Sequence, residues 1–324
     1  MDQVSVIGCG TWGIALASIL ANNVKDILIY TRQEATMHLI NVEHRHPKFD
    51  SIALNTRIKA VNTIDQCKQS NLLVFAVPTQ ELRNAISAAI TANLINKRTL
   101  ILLASKGVEE KSQLLPHEIA QSLLKYSTKI AVLSGPNFAK EILLKKPAGT
   151  VIASKSIRLS KEIATYFYTK GFSVDCSTDL VGVAISGAAK NPYAIGAGMI
   201  LGLNLGPNAH SLYFTKIFNE LEQLVVGMGG KKKTVIGLAG IGDLFLTCSN
   251  MDSRNMRFGY QFVMNQEHKR LLDETTVEGF CTTRTLYERC TKWNLDLPLL
   301  HSLYDILYRG QNCSKLISKL EHTT

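Results

Sequence analysis

A single lysine in a long run of small and apolar residues is the first feature of this sequence that could do chemistry. The run extends from Ser186 to Gly198, and Lys190 is followed directly by Asn191. Burying an ammonium group is costly unless its charge is paired or used, so such a lysine either extends its charged end to water or serves a site. Taken alone, the run leaves both interpretations open.

Two further segments place polar groups among small or apolar residues. Residues 237–248 are rich in glycine and contain one acid, Asp243, followed by Thr247. Residues 253–255 supply a hydroxyl, a guanidinium and an amide in succession, which suits the oxygens of a phosphate. Each segment also fits a plain structural role, Asp243 as a helix cap and residues 253–255 as a polar turn.

The start of the chain has the pattern of a dinucleotide-binding turn. Residues 4–7 form a short apolar strand pattern, Gly8, Gly10 and Gly13 follow as G-x-G-x-x-G, and residues 14–21 have apolar residues at helical spacing. Glycines at these positions permit a tight turn and a close approach of the backbone to a pyrophosphate at the helix N-terminus. A second apolar strand over 27–30 completes the context that this fingerprint requires.

The end of the second strand bears on the choice of cofactor. Sites for NAD carry an acid about 20 residues beyond the glycines, which binds the ribose 2′-hydroxyl. Here the strand ends at Tyr30, Arg32 follows, and Glu34 comes later. A guanidinium stacks on adenine and pairs with a 2′-phosphate, so we expect a preference for NADP(H), with NAD(H) as the alternative.

The rest of the first half predicts the sheet that would position these groups. Strand patterns over 72–78, 99–105, 129–134, 149–154 and 172–175 alternate with helical patterns over 80–91 and 159–170. In doubly wound sheets, ligands bind outside the carboxyl ends of the strands. The residues expected at that edge are Gly13, Arg32, Pro78, Lys106, Gly135 and Asn137.

Strand patterns stop near residue 179. Helices are predicted over 180–203, roughly 209–228, 259–267, 282–293 and 299–308. The predicted fold class is α/β: a Rossmann-type, doubly wound, mostly parallel sheet over residues 1–179, followed by an all-α substrate domain over residues 180–324.

Composition excludes several classes of protein. The 324 residues are 46% hydrophobic and 19% charged, as in soluble globular proteins, and no apolar run reaches the ~20 residues of a membrane helix. The N-terminus lacks a signal-peptide pattern, and the seven cysteines include no Cys-x-x-Cys pair, so we expect free thiols in the cytoplasm. The eight histidines show no metal-ligand spacing, so no metal is expected. A net charge of +10 suits an anionic partner, but no basic segment alternates with aromatic residues as nucleic-acid-binding segments do.

Several motifs in this order closely resemble the bacterial NAD(P)-dependent glycerol-3-phosphate dehydrogenases, over essentially the whole chain. The motifs are residues 8–13, 134–139, 187–191, 237–244, 253–255 and 277–279. The resemblance implies a reversible reduction of dihydroxyacetone phosphate to sn-glycerol 3-phosphate, which supplies glycerophospholipid synthesis. The hydride would come from the nicotinamide and the proton from Lys190, the catalytic acid/base.

The resemblance also assigns further residues to two groups. Those expected around the substrate are Lys106, Gly135, Asn137, Asn191, Asp243, Thr247, Ser253, Arg254 and Asn255. Those expected around the cofactor are Gly8, Gly10, Thr11, Trp12, Gly13, Arg32, Lys106, Ala139, Arg254, Thr276 and Glu278. A homodimer through the helical half is an expectation by analogy alone.

The chain also departs from the pattern of this family. Ala189 stands where the family usually has leucine, Pro192-Tyr193 where it has small aliphatic residues, Pro207 where Asp is common and Lys216 where Arg is common. These departures bear on local packing and substrate affinity, and they leave the reacting groups intact.

Two other functions remain as alternatives. A β-hydroxyacid dehydrogenase would share the same plan and a catalytic lysine, but those enzymes resemble one another in placing Asn four residues after it. Here Asn191 follows at once, and Ala194 occupies the other position. A regulatory module that binds a dinucleotide without chemistry would need only the first half of the chain, which would leave Lys190 and Asp243 unexplained.

Overall fold

The structure is a computed structural model that describes residues 3–124, 129–265 and 277–321. The chain divides into two compact units. The first consists of Met1–Ser105 and Pro116–Leu180, and the second consists of Lys106–Leu115 and Val181–Thr324. The main change of unit therefore falls at residue 180, next to the position where the strand patterns stop.

The segment Lys106–Leu115 differs from the division predicted from sequence, which keeps it in the first domain. Its side chains bind to a helix of the second unit. Gln113 Nε2 donates a hydrogen bond of 2.9 Å to Glu288, and Glu110 forms an ion pair of 2.7 Å with Arg284. These partners are 175 and 174 positions apart in sequence, so no local pattern predicts them.

The first unit is built on an eight-stranded sheet with the order β3-β2-β1-β4-β5-β6-β7-β8. The strands are β1 Gln3–Ile7, β2 Asp26–Tyr30, β3 Ile58–Val61, β4 Leu72–Phe75, β5 Leu100–Leu103, β6 Lys129–Ser134, β7 Ala148–Ser154 and β8 Phe172–Ser177. All neighbouring strands are parallel except β6 and β7. The predicted mostly parallel, doubly wound sheet is confirmed.

The order of the strands creates the ligand edge of this unit. From β1 the chain proceeds outward through β2 and β3, then returns to place β4 on the other side of β1. A reversal of this kind opens a crevice at the carboxyl ends of the central strands. Strands β4 and β5 are continuous apolar runs that are buried throughout, as expected for strands covered on both faces.

Short helices cover the sheet. They are α1 Thr11–Leu20, α2 Glu34–His38, α3 Thr79–Thr91, α4 Pro116–Leu123, α5 Ala139–Leu143 and α6 Ile157–Ala164. The predicted helix over 159–170 extends too far, because the chain turns after Ala164 and buries Tyr166 and Phe167 in the core. Strand β3 and helices α4 and α5 are too short, or too mixed in composition, for periodicity alone to predict them.

In the second unit, every regular element within the described residues is helical. The helices are α7 Leu180–Gly202, α8 Gly206–Gly227, α9 Lys232–Val235, α10 Asp243–Cys248, α11 Arg254–Asn265, α12 Glu278–Lys292, α13 Pro298–Arg309 and α14 Ser314–Glu321. A π-helical turn, Leu238–Gly242, leads directly into α10. The predicted all-α second half is confirmed.

Helix α7 is the buried centre of this unit, and glycines explain its contact with α11. A Cβ on Gly198 would lie 1.9 Å from the carbonyl oxygen of Met256, and a Cβ on Gly259 would lie 1.9 Å from that of Ile195. The backbones of α7 and α11 therefore touch, which no other residue type would allow. This contact brings the start of α11 close to the middle of α7.

Three helices begin earlier than the sequence predicts: α12 begins at Glu278 and not at residue 282, and α11 and α8 begin earlier for identifiable reasons. Helix α11 begins at Arg254, not near 259, and Ser253 Oγ accepts the backbone N–H of Met256 at 3.3 Å and so caps it. Helix α8 begins at Gly206, with Pro207 in its first turn, where the missing N–H of proline costs nothing. The last residues of the predicted helix over 259–267 lie outside the described residues.

Three general properties can be stated for residues 3–124, 129–265 and 277–321. None of their helices combines the length and apolar character that crossing a membrane requires. No group of three or more His, Cys, Asp or Glu side chains among them could hold a metal ion. All seven cysteines are free thiols.

Candidate active site

In the turn between β1 and α1, two glycines lie directly against neighbouring backbone atoms and leave no room for a side chain. Gly8 has a φ of +116°, and a Cβ there would lie 2.7 Å from the carbonyl oxygen of Ala76. A Cβ on Gly13 would lie 1.9 Å from the carbonyl oxygen of Gly8. Any side chain would force helix and strand apart, so the turn keeps the close backbone approach that a pyrophosphate needs.

The first turn of α1 presents backbone amides to this edge. Gly10 is the N-cap, and no side chain of the described residues caps the helix. Thr11 is exposed, and the Nε1 of the half-buried Trp12 is buried without a hydrogen-bond partner in the part of the chain that the structure describes. Amides at a helix N-terminus attract anions, so Gly10–Gly13 fits a dinucleotide pyrophosphate.

Arg32 lies at the same edge of the sheet. It is exposed in the bend between β2 and α2, and β2 pairs in parallel with β1, so the two strands end side by side. Glu34 is also exposed, as the first residue of α2. The guanidinium can reach solvent and a ligand at the edge of the sheet.

The segment after β6 supplies a fixed amide. Asn137 Nδ2 donates to the carbonyl oxygen of Gly149 at 2.9 Å, and its buried Oδ1 has no hydrogen-bond partner within the described ranges. Gly135 is buried in the same turn, and Ala139 begins α5, which packs against α1. The Oδ1 of Asn137 is therefore a positioned acceptor for a hydrogen bond from a ligand.

In the second unit, one carboxylate lies between two ammonium groups. Asp243, the first residue of α10, is fully buried, and its Oδ2 lies 2.7 Å from the Nζ of Lys106. Its Oδ1 accepts a hydrogen bond from the Nζ of Lys190, near the middle of α7. The side chains of Lys106 and Lys190 are only 13% and 11% exposed. Three charged groups are thus almost entirely buried, and the attraction between the carboxylate and the two ammonium groups offsets the cost of removing them from water.

Burial and the neighbouring opposite charges shift the pKa values of Lys106 and Asp243 in opposite directions. Burial lowers the pKa of Lys106 from its ordinary 10.5 to about 8, although Asp243 opposes the shift. Burial would raise the pKa of Asp243, but the ammonium groups of Lys106 and Lys190 hold that pKa below its ordinary value. Asp243 therefore remains ionised at neutral pH and supports the charge of Lys106 in a buried place.

Two asparagines extend this cluster. Asn191 Nδ2 donates to the carbonyl oxygen of Lys106 at 3.3 Å, and Asn255 Nδ2 donates to Asn191 Oδ1 at 3.0 Å. Asn255 Oδ1 in turn accepts the backbone N–H of Gly279 at 2.9 Å. The chain of hydrogen bonds joins α7, the loop after β5, α11 and the start of α12, which fixes the side chains relative to one another.

Gly279 also belongs to this cluster, although the sequence analysis does not predict a role for it. A Cβ at this position would lie 2.6 Å from the carbonyl oxygen of Asn191 and 2.8 Å from Asn255 Oδ1. The sequence signal was only the motif Val277-Glu-Gly279, because the contact that requires glycine is remote in sequence.

Four other predicted residues lie on the same helices. Thr247 Oγ1 donates to the carbonyl oxygen of Asp243 at 2.6 Å, and the buried Ser253 caps α11. Arg254 is exposed at the first residue of α11, and Glu278 is half-buried at the first residue of α12. Thr276, also predicted to contact the cofactor, lies outside the described residues.

The structure therefore separates the predicted residues into two sets. Direct hydrogen bonds in the second unit connect Lys106, Lys190, Asn191, Asp243, Thr247 and Asn255. The first unit carries the residues at the ligand edge of the sheet, which are Gly8, Gly10, Thr11, Trp12, Gly13, Arg32, Gly135, Asn137 and Ala139. Asp243 is not a helix cap, since Gly242 occupies the N-cap position and the carboxylate binds the lysines.

Comparison with known proteins finds a matching family model for each half of the chain. The family described as NAD-dependent glycerol-3-phosphate dehydrogenase N-terminus matches residues 3–160, and its C-terminus counterpart matches residues 179–318. The glycerol-3-phosphate dehydrogenase (NAD(P)+) of Bacillus subtilis (strain 168) is 32% identical over 326 residues, which cover 99% of this chain and 94% of that protein. The protein of the same name from Halothermothrix orenii is 34% identical over 330 residues, which cover 98% and 94%.

The fold gives the same assignment. A crystal structure of glycerol-3-phosphate dehydrogenase from Coxiella burnetii superimposes with a TM-score of 0.91 at 27% identity, and the match covers 99% of both chains. Fold, dinucleotide edge and lysine–aspartate cluster agree with these matches. The chain therefore belongs to the NAD-dependent glycerol-3-phosphate dehydrogenase family and is an NAD(P)-dependent oxidoreductase.

Proposed function

We propose that this protein catalyses the reversible reduction of dihydroxyacetone phosphate to sn-glycerol 3-phosphate. The observation that carries the proposal is the buried cluster in which Asp243 binds the ammonium groups of both Lys106 and Lys190. With both lysines protonated, the cluster has one more positive than negative charge. A substrate that develops negative charge on a reacting oxygen would offset that excess in a place with little water.

Lys190 is the proton donor in this proposal. Reduction of the ketone creates an alkoxide, and an ammonium group next to it stabilises the charge and supplies the proton. The bond to Asp243 fixes the Nζ of Lys190 in position, and the same amine accepts the proton when the alcohol is oxidised. Lys106 provides a second positive charge at the same carboxylate.

The phosphate of the substrate would bind at the start of α11. Arg254 is exposed there, and Asn255 is fixed by its bonds to Asn191 and Gly279. A guanidinium and an amide at a helix N-terminus suit phosphate oxygens. Binding energy from the phosphate would then orient the carbonyl for reaction, as remote binding groups do in other enzymes.

The close backbone contacts at Gly8 and Gly13 fit a bound dinucleotide, and so does the buried Nε1 of Trp12, which has no hydrogen-bond partner among the described residues. Residues 8–13 would hold its pyrophosphate and Arg32 its adenosine end, with Ala139 and Glu278 as further contacts. The bound dinucleotide supplies the hydride. We propose a preference for NADP(H), because the exposed Arg32 can pair with a 2′-phosphate, which an acid at that place would repel.

The test is an assay of dihydroxyacetone phosphate reduction with NADPH and with NADH at matched concentrations. We expect turnover with both coenzymes and a higher kcat/KM with NADPH. A higher kcat/KM with NADH would contradict the role of Arg32. Coenzyme binding without turnover of dihydroxyacetone phosphate would contradict the proposed reaction and favour a regulatory module.

The same assay with β-hydroxyacids separates the alternative enzyme class. The position four residues after Lys190 is taken by the buried Ala194, which offers no amide to such a substrate. A homodimer, a cytoplasmic location and supply of glycerophospholipid synthesis complete the proposal. Sedimentation, cell fractionation and lipid labelling in a strain depleted of the protein would test them.

A further inference from the structure

A polar network that the proposed reaction does not use lies inside the second unit. Glu220, on α8, is buried and only 5% exposed. Its Oε1 accepts the backbone N–H of Leu299 at 2.5 Å, and its Oε2 accepts that of Leu300 at 3.1 Å. Both amides belong to the first turn of α13, where a helix has no internal partners for them. The carboxylate therefore completes the N-terminus of α13.

The same carboxylate also binds α7, three residues after Lys190. The hydroxyl of the fully buried Tyr193 donates to Glu220 Oε2 at 3.1 Å. The hydroxyl of Tyr213 donates to the carbonyl oxygen of Tyr193 at 2.9 Å. A Cβ on Gly196 would lie 2.0 Å from that Tyr213 hydroxyl, so the close approach of Tyr213 to α7 requires glycine at this position. Helix α8 thus binds both the side chain and the backbone of Tyr193.

The hydrogen bonds of Tyr193 lie next to the point where α7 lacks one of its internal backbone hydrogen bonds. Pro192 is inside the helix and has no N–H to donate to the carbonyl oxygen of Ala188, four residues earlier. The missing bond spans Lys190 and Asn191. The hydrogen bonds of Tyr193 to α8 therefore supply fixed points beside the turn that bears the reacting lysine.

We propose that Tyr193 and Glu220 are positioning residues that hold this turn of α7, so that the Nζ of Lys190 keeps its place at the reacting oxygen. The proposal rests on the proposed function, since it concerns the same reaction. In this arrangement the hydroxyl of Tyr193 restrains a helix that Pro192 has weakened.

The ionisation of Glu220 gives a way to observe this role. Burial raises its pKa to about 7, against the lowering effect of its hydrogen bonds. The titratable groups facing it are Tyr193, Tyr213, Cys290 on α12 and Asp296 before α13. Protonation turns one oxygen into an O–H donor and makes it a weaker acceptor, which weakens the hydrogen bonds from Tyr193 and from α13.

The experiment compares Tyr193→Phe and Glu220→Gln with wild type in the reduction of dihydroxyacetone phosphate. We expect kcat to fall about tenfold in each, because a small displacement of a reacting group costs that much or more. KM should change by less than about twofold, because the phosphate-binding residues lie on α11. A double variant should lose little more than either single one, since both changes break the same bond.

Two matched controls exist. Glu222→Gln, also on α8, removes a half-buried carboxylate that pairs with Lys232 at 2.6 Å and lies outside the network of Glu220. Tyr308→Phe removes a hydroxyl that donates to the carbonyl oxygen of Phe280 at 2.8 Å. Both should keep the wild-type kcat.

The dependence on pH distinguishes positioning from simple structural support. Glu220→Gln imitates the protonated carboxyl, so the ratio of wild-type kcat to variant kcat should be about ten at pH 8 and should approach one below about pH 6. A ratio that does not vary with pH, or an unchanged kcat in folded Tyr193→Phe, would overturn the proposal. If Glu220→Gln does not fold, Tyr193→Phe decides alone, because it keeps the ring that fills the core. Absence of turnover in the wild type would instead refute the proposed function.

Discussion

Replacing Asp243 by Asn tests whether the buried carboxylate sustains the charges of the site. Asn keeps the shape of the side chain but removes the charge that both Lys106 and Lys190 bind. With Asp243 present, the pKa of Lys106 is about 8, so about nine tenths of this group is protonated at pH 7. Loss of the carboxylate would lower this pKa further, so that a larger share of the group loses its proton at pH 7.

The expected result is a fall in kcat/KM for dihydroxyacetone phosphate of about 10²–10³-fold, as for other losses of charge stabilisation in buried sites. In the proposed reaction, reduction uses the protonated lysines, and Asp243 raises the pKa of Lys106. Its removal should therefore shift the alkaline fall of the pH–rate profile to lower pH. Both quantities come from initial rates of NADPH oxidation between about pH 6 and 9, a range that spans this pKa.

Asp305→Asn is the matched control. The carboxylate of Asp305 also lies between two cations, Arg309 at 3.0 Å and Lys315, but on α13, apart from the cluster. It should change kcat less than twofold. The reasoning fails if Asp243→Asn, shown to be folded by circular dichroism, keeps more than about a tenth of wild-type kcat/KM with an unshifted profile.

Three further substitutions probe other parts of the site. Lys190→Ala should lower kcat by about 10²–10⁴-fold, as loss of a general acid does, and turnover near wild type would exclude Lys190 from that role. Arg32→Ala should raise KM for NADPH about tenfold and leave KM for NADH nearly unchanged; equal changes for both coenzymes would mean that Arg32 does not bind the 2′-phosphate. Gly279→Ala puts a Cβ 2.6 Å from the carbonyl oxygen of Asn191, so kcat and Tm should both fall. Gly237→Ala, whose nearest neighbour is 3.5 Å away, should be tolerated, and the same Tm for both variants would contradict the steric argument.

The elements that the sequence predicts well are those with a strong local period. The strands around residues 4–7, 72–75 and 129–134 consist mostly of apolar residues, and α7 is a long helix of mostly small and apolar residues. Their type follows from burial of one face or both, which a linear pattern records. Strand β3, with an exposed lysine among four residues, has too weak a pattern to predict.

The site was predictable as a set of residues, but its geometry was not. Lys190 and Asp243 stand out as charged residues in runs of small and apolar residues, Lys106 follows a predicted strand, and resemblance to a family implied their roles. The sequence does not show, however, that one carboxylate binds both lysines. Asp243 is 137 positions from Lys106 and 53 from Lys190, and its orientation depends on a π-helical turn before α10. Whether burial or the carboxylate dominates the pKa of a lysine is a matter of distances, which only the folded chain fixes.

The composition of α7 explains why Lys190, the proposed proton donor, depends on distant contacts. Glycine costs up to about 1 kcal/mol relative to alanine within a helix, and Pro192 removes a further hydrogen bond, so α7 has little stability of its own. The glycine contact with α11 and the bonds of Tyr193 to α8 replace that stability with tertiary packing. The position of Lys190 is therefore set by the helices around α7 more than by α7 itself. It follows that substitutions at the contacts of α8 and α11 with α7 should alter kcat although they touch no ligand, whereas those at exposed positions of α14 should not.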